Sequence, residues 1–180
     1  MEQLYLAHKE FQKEWAAWRR VGLTGNEPIA VTSSRNRFWA AFQFLFETRL
    51  RPLRQSFSSG EPHAIDEVLD FLEIDIPAFR CGYEKEWYFR HLKSAKLDEK
   101  HRLRLSRLAL LSCSSQNYRR EFWDLAKLMI KLADVNFVEE LQTLSESSSE
   151  FERKKSSRML RVILENRKDL REYAKRDVSA

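Results

Sequence analysis

Four glycines and four prolines must serve every turn in a chain of 180 residues. A many-stranded β fold needs a turn-former at nearly every tight hairpin, so this supply excludes one. Charged residues make up 33% of the chain and are largely Arg, Lys and Glu, which favour helix. The expectation is an all-α fold of about seven or eight helices. The length suits one domain with a sizeable core, and 12% aromatic residues exclude a wholly disordered chain. We therefore expect a single helical domain over residues 1–180, built of antiparallel helix hairpins. Within it, residues 1–60 read as an N-terminal helical pair and 61–180 as a repeat-like region.

The apolar spacing places the helices. Leu4, Phe11 and Trp18, with His8 and Trp15 beside them, form the stripe of a first helix over 3–20. Residues 21–33 hold Gly22, Gly25, Asn26 and Pro28 and read as a loop, with Ser33 or Ser34 capping the next helix. That second helix is predicted from Arg35 to about Arg51, with Pro52 kinking or ending it and a linker from Ser56 to Gly60. Pro62 opens a third, whose apolar face is Ile65, Val68, Leu69 and Leu72 and which Pro77 stops. A fourth starts near Gly82.

The C-terminal half is more regular. Asp98 caps a helix through Leu103, Leu105, Leu108, Leu111 and Cys113. Tyr118, Phe122, Leu125, Ala126, Met129, Leu132 and Ala133 follow the helical period closely. Asn136 can cap a short helix, and Ser147 with Glu150, or Ser149 with Glu152, has the capping-box spacing ahead of a long last helix over 153–176. Residues 102–111 (RLRLSRLALL) and 155–164 (KSSRMLRVIL) each lead from Arg and Ser into an aliphatic run. Their separation is near the length of one HEAT-type repeat, and residues 98–167 resemble a HEAT-like helical array. The resemblance implies a short α-superhelix in the C-terminal half and carries no function with it.

Compartment and chemistry follow from what the chain lacks and how its charge is spread. Residues 1–12 contain no apolar signal core, and the most apolar run, residues 38–46, is far short of a span of about 20. Cys81 and Cys113 stand alone rather than in a disulfide framework. A cytoplasmic protein without a transmembrane segment is expected. Glycine-rich phosphate loops and a nucleophile elbow are both absent, so no cofactor and no catalytic residue is assigned. His63, Asp66, Glu67 and Asp70 could present metal ligands on one helix face, but carboxylates early in a helix also suit its positive end. Cys81, His91, His101 and Cys113 lack the paired spacing of a zinc site, which favours buried cysteines with surface or capping histidines.

Basic and acidic blocks alternate: +4 over residues 1–60, −5 over 61–80, +5 over 81–127, −4 over 128–150 and +5 over 151–180. The acidic blocks would interrupt a phosphate track. Aromatic and basic residues interleave at Lys85, Glu86, Tyr88, Arg90, His91 and Lys93, and at Tyr118, Arg119, Arg120 and Trp123, an arrangement that can stack bases but also arises from core aromatics under solvated cations. The last helix carries the strongest functional signal. Lys154, Arg158, Arg161, Arg167 and Arg171 flank a narrow apolar stripe, as in helices that bind an acidic partner, nucleic acid or an anionic membrane. The sequence thus points to a non-catalytic scaffold or adaptor that binds an acidic protein partner through basic helix faces. Nucleic-acid binding by the same surface is the alternative, and a metal-dependent enzyme around His63 and Asp66 the remote one.

Overall fold

A computed structural model describes residues 2–20, 27–74, 79–115 and 120–177, with side chains for 3–20, 27–74, 81–115 and 120–174. Pro77, Tyr118, Arg119 and the glycines at 22 and 25 lie outside them. The described residues are all-α and contain no strand. None of their helices is long and apolar enough to cross a membrane. Contacts divide the chain into two compact units, Met1–Glu84 and Lys85–Ala180, a division that falls beyond the subdivision at residue 60 read from the sequence.

Unit 1 begins with α1 (Glu2–Arg20) and α2 (Ile29–Leu45), which pack together. Phe11 stacks on Phe38 at 6.0 Å between ring centroids, and Arg37 pairs with Glu10 at 2.5 Å. The second helix starts well before the serines expected to cap it. Pro28 is its N-cap, and Thr32 N–H donates to the Pro28 carbonyl at 3.1 Å. No glycine or proline interrupts the chain between Pro28 and Pro52, and winding begins directly after Pro28. Ser34 is instead buried inside the helix, its hydroxyl donating to the Val31 carbonyl.

Pro52 does not end the helix. A π turn, Phe46–Leu50, leads directly into α3 (Arg51–Ser59), whose first turn holds the proline. A proline ring clashes with the carbonyl four residues before it, here that of Thr48, and a widened turn gives it room. The expected linker is also helical: α3 runs to Ser59, and Gly60 at φ 75° closes it in the left-handed conformation that glycine adopts without strain. The fourth helix, α4 (Ala64–Glu73), starts after Pro62 and buries Ala64, Val68, Leu69, Phe71 and Leu72. The fifth, α5 (Phe79–Leu92), begins ahead of Gly82 and buries Cys81, Tyr88, Phe89 and Leu92.

Unit 2 continues with α6 (Glu99–Ser114), α7 (Phe122–Leu132), α8 (Val135–Ser145), α9 (Glu150–Asn166) and α10 (Lys168–Asp177). Asp98 caps α6 as the sequence suggested: its carboxylate accepts from His101 N–H at 2.8 Å, while the buried His101 ring accepts from Asp98 N–H at 3.3 Å. On α7, Phe122, Leu125, Ala126, Met129 and Leu132 are all buried. Asp134, two residues before Asn136, caps α8 through Phe137 N–H at 2.9 Å. Ser149 caps α9. The long last helix is two helices, broken at Arg167, where the backbone extends to φ −122° and ψ 97°.

Candidate interaction surfaces

Two contrasting groups stand out among the described cations of unit 2. One group satisfies the carbonyls that helix ends leave without intrahelical partners. Lys155 is buried and its ammonium donates to the carbonyls of Ser112 (2.9 Å) and Ser115 (2.6 Å) at the end of α6. Arg167 donates to Ile130 (3.1 Å) and Ala133 (3.3 Å) at the end of α7, and pairs with Asp169 at 2.6 Å. That hydrogen-bonded guanidinium holds the Asp169 carboxyl down at about 2. Arg171 donates to Leu164 and Glu165 at the end of α9, both at 2.7 Å. Positive charge at a helix C-terminus also opposes the negative end of the dipole. Two of the five residues singled out on the basic C-terminal stretch, Arg167 and Arg171, thus aim donors back into the fold.

The other group faces water. The exposed line of α9 reads Glu150, Lys154, Ser157, Arg161, Glu165. Lys154 pairs with Glu150 at 2.5 Å, Arg158 is half-buried, and the Arg161 side chain has no hydrogen-bond or ion-pair partner among the described residues.

A surface that sequence reasoning missed lies on α6, which packs against α9. The buried line of α6 is His101, Leu105, Ala109 and Cys113. Leu103 and Leu111 lie off that line and are each 60% exposed, with the exposed Arg107 midway between them. Residues four apart form one ridge of a helix. Arg102 and Arg107 have no side-chain partner among the described residues. The clue was available: the fourfold spacing from His101 to Cys113 leaves both leucines on another face.

The remaining candidates have structural roles. Arg90 holds Asp124 by two hydrogen bonds, 3.0 and 2.8 Å, and Glu86 at 3.2 Å, while Arg120 reaches Glu86 at 2.5 Å. Glu86, Lys85 and Tyr88 are buried, so that aromatic and basic run is a packed ion-pair network on one side rather than a row of stacking rings. His91 is exposed, stacked on Trp87 at 3.9 Å. His63 is exposed, 3.2 Å from Glu61 and 3.9 Å from Glu67. Cys81 and Cys113 are both buried, and burial pushes the Cys113 thiol up to about 12, which keeps it protonated. Among the described residues no three His, Cys, Asp or Glu side chains gather as a metal site would require.

Unit 1 contains a groove of about 510 Å³. Leu4, Leu45, Leu50, Leu53 and Phe71 are its buried floor. Phe44, 66% exposed, and Ile74, 42% exposed, stand at its mouth. Thr48 and Arg49 of the π turn form part of the wall, and the Thr48 hydroxyl donates to the Phe44 carbonyl at 2.7 Å. Glu67 and Asp70 of α4 also line it.

No protein-family model matches this chain, and no curated protein or solved structure matches it significantly.

Proposed function

We propose that this chain is a non-catalytic helical interaction protein that binds an acidic partner through basic helix faces of unit 2. The observation that carries the reading is the α6 ridge, two leucines each 60% exposed on either side of Arg107. Such a ridge suits an amphipathic acidic segment, whose apolar residues cover the leucines while its carboxylates meet Arg107, with Arg102 adding positive field from the N-terminal end of α6. On the neighbouring α9, Lys154, Arg158 and Arg161 extend the positive field.

A HEAT-like arrangement of this region is part of the same proposal. Its support is the packing of α6 on α7 and α8 on α9, with α6 also meeting α8 and α7 also meeting α9. Stacked helix pairs of this kind present helix faces in a row to a partner.

The test is fluorescence anisotropy with a labelled Leu/Glu amphipathic peptide of about 18 residues, long enough to hold helix in water. Combined Arg102→Glu, Arg107→Glu and Arg161→Glu should weaken binding at least about tenfold. Equal affinity for the variant contradicts the reading. Tighter binding of a labelled single-stranded RNA than of the peptide, lost in the same variant, favours the nucleic-acid alternative instead.

A further inference from the structure

We propose that the groove of unit 1 receives a partner helix that is apolar on one face and basic along one edge. A small ligand seated on the floor would leave Phe44 in water, and small-molecule sites ordinarily bury most of their ligand. A helix laid across the mouth covers Phe44 and Ile74 together and fills the floor with side chains spaced three and four apart.

Charge then selects the occupant. The α4 wall presents Glu67 and Asp70, three residues apart and both exposed, and α4 also carries Asp66 and Glu73. Cations on one edge of the incoming helix meet this wall. The other charged group in the lining is Arg49, on the π turn, whose side chain has no hydrogen-bond or ion-pair partner among the described residues. An acidic or amide side chain on the opposite edge meets it, so the two walls fix the orientation of the helix. The π turn sets this geometry. One extra residue per turn swings Thr48 and Arg49 to the wall while Leu50 stays on the floor, and such turns often mark functional sites.

The occupant differs in sign from the acidic partner of unit 2, and the two sites share no residue. The probe is a labelled Leu/Lys amphipathic peptide of about 18 residues. Three changes to the full chain test the site: Phe44→Ser, at an exposed position that folding does not require; Ala41→Trp, which fills the groove; and Glu67→Lys with Asp70→Lys. Each should weaken binding at least about tenfold while circular dichroism stays unchanged, and the lysine pair should also improve binding of the Leu/Glu peptide. Unchanged affinity in Phe44→Ser and in the lysine pair overturns the proposal. So does loss of Leu/Lys binding only in the unit 2 variants. Saturable binding of a fluorescent fatty acid that depends on Arg49, with no binding of the Leu/Lys peptide, overturns it in favour of a small apolar anion.

Discussion

The Lys155 ammonium lies 2.6 Å from the carbonyl oxygen of Ser115. It crosses from α9 to close the end of α6, and its second donor reaches Ser112. The charge is buried, but it is hydrogen-bonded to carbonyls at the negative end of a helix dipole. Lys155→Met keeps the aliphatic stem and removes the donors that reach both carbonyls. We expect a loss of roughly 1–3 kcal/mol, read from the urea midpoint. An unchanged midpoint would mean that water replaces the ammonium without cost.

Arg161 and Arg167 should separate in the same assay. Arg161→Glu changes an exposed side chain without a partner among the described residues and should stay within about 0.5 kcal/mol of the parent. Arg167→Ala removes donors to Ile130 and Ala133 and should cost about 1 kcal/mol or more. The Arg167 contribution should also depend on acid. Asp169 is held down at about 2 when folded, below the ordinary 3.8, so its pairing stabilises the fold above pH 4 and fades as pH falls through 2. The stability gap between parent and Arg167→Ala should narrow over that window; a constant gap would assign the effect to the carbonyl contacts alone.

Phe122 tests the core of unit 2. It is 2% exposed on the buried face of α7. Phe122→Ala should cost about 3–5 kcal/mol, with a lower Tm as the readout. An unchanged Tm would place Phe122 outside the core.

How much of this was legible beforehand follows from what periodicity encodes. The α7 stripe, the Asp98 cap and the Ser149 cap are local patterns, and each was readable. The π turn was not, because nothing in its sequence but the following Pro52 marks a widened turn. The break at Arg167 was hidden for a different reason. Its donors go to carbonyls 34 and 37 residues earlier, and a side chain's sequence neighbours say nothing about so distant an acceptor. The same limit made Arg167 and Arg171 read as surface cations. Leu103 and Leu111 were placed on the helix but not on a face, because Leu103, Leu105, Leu108 and Leu111 point around more than one side of it.

His8 gives unit 1 an acid sensitivity. It is 6% exposed, lies 5.3 Å from the Phe38 ring, and neither ring nitrogen has a hydrogen-bond partner among the described residues. Burial pushes its pKa below the ordinary 6.5. Between those two values the unfolded chain binds a proton that the folded one does not, so stability falls as pH drops below 6.5. His8→Leu should flatten that part of the profile, monitored by the fluorescence of Trp15 and Trp18 on the same helix. A slope identical to the parent's would show that His8 is not its source.

The central claim is that unit 2 recognises an acidic partner by charge and by its α6 leucines together. The most direct measurement is the salt dependence of Leu/Glu peptide affinity for the parent chain, for Arg102→Glu with Arg107→Glu, and for Leu103→Ser with Leu111→Ser. The parent should weaken steeply with salt. The arginine pair should bind weakly with a flattened slope, and the leucine pair should bind weakly with the parent's slope retained. Equal affinity and equal slope in all three proteins would contradict the account.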